Sequence, residues 1–234
     1  MKLSQNLLCA AVLSMALLGS TQLSACADEP PVTVKPQPNE VTSQSAADFL
    51  RPPGIDRYGP KVDWREVPPW QQTSFFGIRS QGRIFVYVVD CSGSMGYNDR
   101  LIRAKRELRR SIMNLRFPQR FHVIFYNDQP LSMPGDTPLA ADPASKNQML
   151  RWLSLIDADG ATDPRGAMSL ALALRPDAVF LLSDGEFPEG TAEAIARKNA
   201  RKIPINCIDL GGGAGGNQLE RIAREAGGQY TMQP

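Results

Sequence analysis

Four short apolar runs separated by stretches of helical period constrain this chain most. Ile84–Val89, Phe121–Tyr126, Ala178–Leu182 and Ile203–Leu210 are each about strand length and largely apolar on both alternating sets of positions. A strand with one wet face alternates polar and apolar residues, whereas one that is apolar on both sets is buried on both faces, as in a parallel sheet covered by helices. Between the runs, Leu101, Ala104, Leu108, Ile112 and Leu115 recur at helical spacing. Met149, Leu150, Leu153 and Ile156 do the same, and later Leu219, Ile222, Ala223 and Ala226. The expectation is an α/β fold of the doubly wound, Rossmann-like kind, with a mostly parallel central sheet and helices on both faces. A closing strand is expected at Gln229–Met232, and the whole domain over residues 71–234, enough for one well-buried core. Asp99 is expected to N-cap the first helix, Asp163-Pro164 to start another, and Gly227-Gly228 to end the last.

Upstream of the domain, residues 1–25 read as a targeting leader: Lys2, an apolar stretch from Leu7 to Leu18, then small polar residues. About 12 apolar residues are too few to span a membrane. Leu23-Ser24-Ala25-Cys26 resembles the lipobox of bacterial lipoproteins, which implies cleavage before Cys26 and acylation there. Ordinary cleavage after Ala25-Cys26-Ala27 also satisfies the small-x-small rule and would release a soluble protein. Both routes take the protein out of the cytoplasm, the first as a membrane-anchored lipoprotein of the cell envelope. Residues 26–70 include nine prolines and no sustained period, so they read as a tether. Its reach would run from roughly 40 Å as a coil to about 100 Å or more as stiff polyproline II. Trp64 and Trp70 are expected to fold back onto the domain.

Charge and composition narrow the function. Lys and Arg number 26 against 24 Asp and Glu, a net charge of +2, too balanced for a protein that binds nucleic acid by charge. One histidine, His122, and four scattered cysteines cannot build a nitrogen- or sulfur-ligated zinc cluster, so any metal must be held by oxygen. Such oxygens stand where an open α/β sheet forms its ligand sites, at the carboxyl ends of strands. Asp90-Cys91-Ser92-Gly93-Ser94-Met95 follows the first core strand, with Asp90, Ser92 and Ser94 alternating. Gly160-Ala161-Thr162-Asp163 precedes a helix, and Ser183-Asp184-Gly185 follows the strand Ala178–Leu182. Three loops are thus expected to converge.

These residues resemble the metal-ion-dependent adhesion site of von Willebrand factor type A domains, whose pattern is D-x-S-x-S, then a threonine, then an aspartate after a strand. The resemblance runs from Phe75 to Gln233 and extends to Leu219-Glu220-Arg221-Ile222-Ala223 with Gly227-Gly228 and Tyr230. Ala161 stands where many members have glycine, and Ser183 where many have threonine. It implies a site for Mg²⁺ or Mn²⁺ in which Ser92, Ser94 and Thr162 coordinate directly and Asp90 and Asp184 do so directly or through water. Mg²⁺ wants about six oxygens and keeps a water where the protein leaves a position open. Two carboxylates only neutralise the ion, leaving it able to attract an Asp or Glu of a protein partner. The expected function is therefore binding of a partner, without catalysis. Two other readings are an accessory subunit coupled to a separate ATPase and a metal-dependent hydrolase, the latter needing a general base beside the open position. In the sheet order that the resemblance implies, a strand separates Cys91 from Cys207, and the two are expected to stay free thiols.

Other signals point to nothing further. Gly211-Gly212-Gly213-Ala214-Gly215-Gly216 contains a formal G-x-G-x-x-G, but no acidic residue follows at about twenty positions and no P-loop lysine is present, so a connector is expected. Asp157, Asp159 and Asp163 are read as capping or solvated. Arg100, Arg103, Lys105, Arg106, Arg109 and Arg110 are read as a solvated helix face, and His122 as a packed residue.

Overall fold

A computed structural model describes residues 63, 65–185, 187–213 and 216–233. The leader, Cys26, Trp64 and nearly all of the tether lie outside them. Nine strands and five α-helices follow in chain order: β1 (Gln72–Phe75), β2 (Ile78–Gln81), β3 (Ile84–Asp90), α1 (Arg100–Asn114), β4 (Arg120–Tyr126), β5 (Pro130–Ser132), β6 (Leu139–Ala140), α2 (Pro143–Leu153), α3 (Arg165–Ala173), β7 (Ala178–Ser183), α4 (Thr191–Lys198), β8 (Ile205–Asp209), α5 (Gly216–Ala226) and β9 (Tyr230–Met232).

The seven-stranded sheet has the order β5-β4-β3-β7-β8-β9, with β6 also on β4. Its core, β4-β3-β7-β8-β9, is parallel, and only the short β5 and β6 run antiparallel. Alternation along β3 assigns the two faces. Phe85, Tyr87 and Val89 pack with Leu101, Ala104, Leu108 and Ile112 of α1 and with Met149 and Leu153 of α2. Val86 and Val88 pack on the other side with Ala167, Met168 and Ala171 of α3, Ile195 of α4 and Leu219 and Ile222 of α5. Every residue of β7 is buried, as its unbroken apolar run requires. The expected doubly wound architecture is the observed one.

Corrections concern the helix starts and the small elements. Asp99 does not cap α1. It lies in the left-handed region (φ 55°, ψ 22°) and makes no capping bond, whereas a capping side chain folds onto the first turn from an extended backbone. Helix α3 begins at Arg165, one residue later than expected, and the Asp163 carboxylate instead accepts from the Arg165 backbone N–H (3.0 Å) and guanidinium (2.6 Å). The hairpin β1–β2 and helix α4 were not expected. The hairpin packs Phe75 against Tyr87 and Phe180, ring centroids 5.3 and 5.6 Å away. Trp70 does fold back, with the Arg83 guanidinium 5.5 Å from its ring centroid. Strand β7 lies between β3 and β8, and Cys91 and Cys207 are both free and buried.

Candidate functional site

Strand β3 delivers Asp90 to the carboxyl edge of the sheet, fully buried. The chain then turns sharply, and the N–H of Cys91 is still held by the Tyr126 carbonyl at the end of β4 (2.8 Å). Asp90 is gripped on both oxygens: Oδ1 accepts from the Ser92 N–H (2.8 Å), and Oδ2 from the Ser183 hydroxyl (2.6 Å) and, at 3.5 Å, the Tyr126 hydroxyl. Burial nevertheless dominates and pushes its pKa up to about 6, against the lowering effect of these hydrogen bonds. The same burial, with Asp90 beside it, raises the Tyr126 hydroxyl well above the usual phenol range.

Above Asp90 the hydroxyls gather. Ser92 Oγ and Ser94 Oγ are 3.1 Å apart, and Ser94 Oγ donates to Asp184 Oδ1 at 2.8 Å. The threonine loop is stitched to this cluster through its backbone: the Gly93 N–H donates to the Gly160 carbonyl (3.0 Å) and the Asp159 N–H to the Cys91 carbonyl (2.9 Å). A methyl group built on Gly185 would stand 3.9 Å from Thr162 Oγ1, so the Thr162 hydroxyl borders the loop that carries Asp184. The three expected loops therefore meet: hydrogen bonds link Asp90 to Ser92, Ser92 to Ser94 and Ser94 to Asp184, and Thr162 lies beside the loop that carries Asp184.

Two neighbours of this cluster escaped the sequence reading. Arg100, taken for a solvated charge, donates from Nη1 to Asp184 Oδ2 at 2.7 Å; its side chain is 20% exposed and that of Asp184 is fully buried. Two consecutive left-handed residues, Asn98 (φ 53°) and Asp99 (φ 55°), turn the chain between the serines and α1. Left-handed backbone is disfavoured for residues with a Cβ, and it brings Arg100 round to Asp184. Gly211, taken for part of a flexible connector, lies so close to the Asp184 loop that a Cβ on it would fall 1.9 Å from the Asp184 carbonyl oxygen. The glycine run was the available signal, but its spacing does not say which glycine is pressed against backbone.

The donors here are three hydroxyls and two carboxylates, all hard oxygens, and they suit a hard divalent cation. Among the described residues no group of three or more His, Cys, Asp or Glu gathers as a metal cluster, so the hydroxyls are indispensable to any cation site. Asp159 accepts from the Gly160 N–H (2.8 Å) and Asp163 is paired with Arg165, so both serve local structure. Cys91 is buried beside Asp90, which pushes its thiol up to about 12, far from a reactive thiolate. His122 is buried four positions before the end of β4, with Nε2 2.8 Å from Ser132 Oγ, a packed residue as expected.

No family model matches the sequence, and no curated protein matches it. Solved structures do. A von Willebrand factor type A protein from Catenulispora acidiphila superposes with a TM-score of 0.59 at 22% identity, over 67% of this chain and 40% of that one. An aerotolerance-related membrane protein from Bacteroides fragilis gives 0.52 at 23% identity, over 65% of this chain and 92% of that one. Proximal thread matrix protein 1 from the mussel byssus, with a zinc-occupied MIDAS motif, gives 0.51 at 20% identity, over 64% of this chain and 41% of that one. The chain thus spans well under two thirds of the first and third of these structures. At these identities the likeness concerns the backbone alone, and it establishes that the domain adopts a von Willebrand factor type A-like fold.

Proposed function

We propose that the domain holds a divalent cation, Mg²⁺ or Mn²⁺, on Ser92, Ser94, Thr162, Asp90 and Asp184, and through it binds an Asp or Glu carboxylate of a protein partner without catalysis. The observation that carries this reading is the contact of the Ser92 and Ser94 hydroxyls with one another and with Asp184 at the carboxyl edge of the sheet. A bound cation would supply Lewis acidity toward an oxygen from outside. The chain's own residues do the rest. Ser183 and the Ser92 N–H fix Asp90 beneath the hydroxyls, and the Gly93–Gly160 bond fixes the threonine loop beside them. The zinc-occupied MIDAS motif of the mussel protein, on the same fold, supports the cation.

We further propose that Cys26 is acylated and that residues 26–70 tether the domain to a membrane of the cell envelope. Among the described residues no helix is long and apolar enough to cross a membrane. A lipid anchor needs none. The binding proposal is tested by crosslinking in native envelopes. A partner captured in Mg²⁺, lost in EDTA and lost with Asp184→Ala is the expected result, and capture indifferent to all three conditions overturns it. The anchor is tested separately with a fatty-acid label, which Cys26→Ser should abolish while moving the protein to the soluble fraction. An unlabelled, soluble wild type would point to cleavage after Ala27.

A further inference from the structure

We infer that Arg100 is a resident counter-ion of the site: it weakens the grip on a divalent cation and leaves more of the cation's charge for the partner's carboxylate. The inference rests on the cation reading just proposed. Its basis is how Asp184 is shared. One carboxylate oxygen, Oδ1, faces the hydroxyl cluster and accepts from Ser94, while the other, Oδ2, is taken by the Arg100 guanidinium. The pair is sheltered, with the carboxylate fully buried, so water screens it far less than an exposed ion pair.

Charge around the cluster then has an unusual balance. Asp90 is satisfied by neutral donors alone, Ser92, Ser183 and Tyr126, and contributes a negative charge when ionised. Asp184 contributes a second, and Arg100 cancels one. Asp163, a further carboxylate on the threonine loop, is already paired with Arg165. The two candidate ligand carboxylates and Arg100 together therefore offer a divalent cation one net negative charge instead of two. The cation would retain about one unit of positive charge toward an outside carboxylate.

Arg100 is also held in place, unlike an ordinary helix-surface arginine. It is the first residue of α1, and its own backbone N–H donates to the Met95 and Tyr97 carbonyls. The left-handed pair Asn98 and Asp99 immediately precedes it. Strained backbone of this kind persists where surrounding contacts over-determine it, and it clusters at functional sites. A guanidinium has five N–H donors, so Arg100 keeps donors beyond the one used on Asp184.

Calorimetric titration with Mn²⁺ alone, on the full chain and its Arg100→Gln, Arg100→Met and Arg100→Lys variants, tests this. Glutamine keeps a donor for Asp184 and removes the charge; lysine keeps the charge and removes the fork. Arg100→Gln and Arg100→Met are expected to bind Mn²⁺ about tenfold more tightly than wild type, as the loss of Coulomb repulsion from a neighbouring cation implies, and Arg100→Lys within about twofold of it. A second readout is thermal. In EDTA the midpoint of Arg100→Met should fall, because Asp184 is left buried without its cation, and the rise on adding Mn²⁺ should exceed that of wild type. Wild-type binding with no tightening in Arg100→Gln or Arg100→Met overturns the counter-ion role and leaves the cation reading standing. No Mn²⁺ binding by any of the four proteins overturns the cation reading, and the counter-ion role with it.

Discussion

Replacing Asp90 by asparagine removes one charge and almost no volume from the most buried point of the site. In the folded protein burial raises the carboxyl's pKa from 3.8 to about 6. A carboxyl raised in the folded state adds stability that is fully present below its unfolded pKa and is lost as pH rises through the folded one. The window here runs from about pH 4 to about pH 6. A difference of about two units corresponds to roughly 3 kcal/mol, the penalty for burying an ionised Asp90 at neutral pH when no cation faces it. Asparagine evades that penalty. Its carbonyl can still accept from the Ser92 N–H, and its amide can donate to the Ser183 hydroxyl, which now accepts. Allowing about 1 kcal/mol for the loss of charge-assisted hydrogen bonds, Asp90→Asn should be more stable than wild type by about 2 kcal/mol at pH 7.5 in EDTA. It should be no more stable than wild type at pH 4. Urea unfolding at the two pH values, followed by circular dichroism, measures both numbers. With saturating Mn²⁺ at pH 7.5 the order should reverse, since only wild type pairs Asp90 with a cation. An Asp90→Asn protein less stable than wild type at pH 7.5 in EDTA would refute the premise that desolvation outweighs the hydrogen bonds at this carboxylate.

Asp99 adopts a left-handed backbone without a capping bond, so Asp99→Gly should raise the urea midpoint, by about 1 kcal/mol of stability; a lowered midpoint would mean that its side chain has a partner that matters. Gly211→Ala must displace the Asp184 carbonyl, so it should destabilise the domain by more than about 1 kcal/mol and weaken Mn²⁺ binding in calorimetry. Wild-type behaviour would show that the two loops can separate freely. Cys91 and Cys207 should each take up one alkyl group in urea without reductant, and should resist labelling in the native state because burial raises both thiols. A peptide pair linked through them would contradict the position of β7 between their strands.

The legible parts of this chain are those where one physical cause leaves one pattern. Burial on both faces leaves no polar alternation in β7, and the sheet core could be read from such runs. Oxygen-bearing residues just beyond those runs were readable for the same reason, since the strand ends locate them. The hairpin β1–β2 was not, because its turn carries Phe76 at φ 48°, a residue that signals no turn, before Gly77 at φ 81°. Asp99 misled because a cap and a left-handed turn residue share the same composition. Arg100 could not be told from Arg103 or Arg106 by spacing. What distinguishes it is the bend at Asn98 and Asp99, and that bend is invisible until the chain is folded.

The short hairpin has a mechanical consequence. β1 meets β2 in antiparallel register from Gln72↔Gln81 at the open end to Phe75↔Ile78 at the turn. A pull on the chain upstream of Gln72 would load that open end first, so the rungs would part in turn, like a zipper. Gln72 is braced by Gln119, whose side-chain amide donates to its carbonyl at 2.8 Å, and the last rung is anchored by Phe75 among Tyr87 and Phe180. Four rungs and an aromatic lock would thus absorb tension as extra chain length, sparing the loops that hold Asp90 and Asp184.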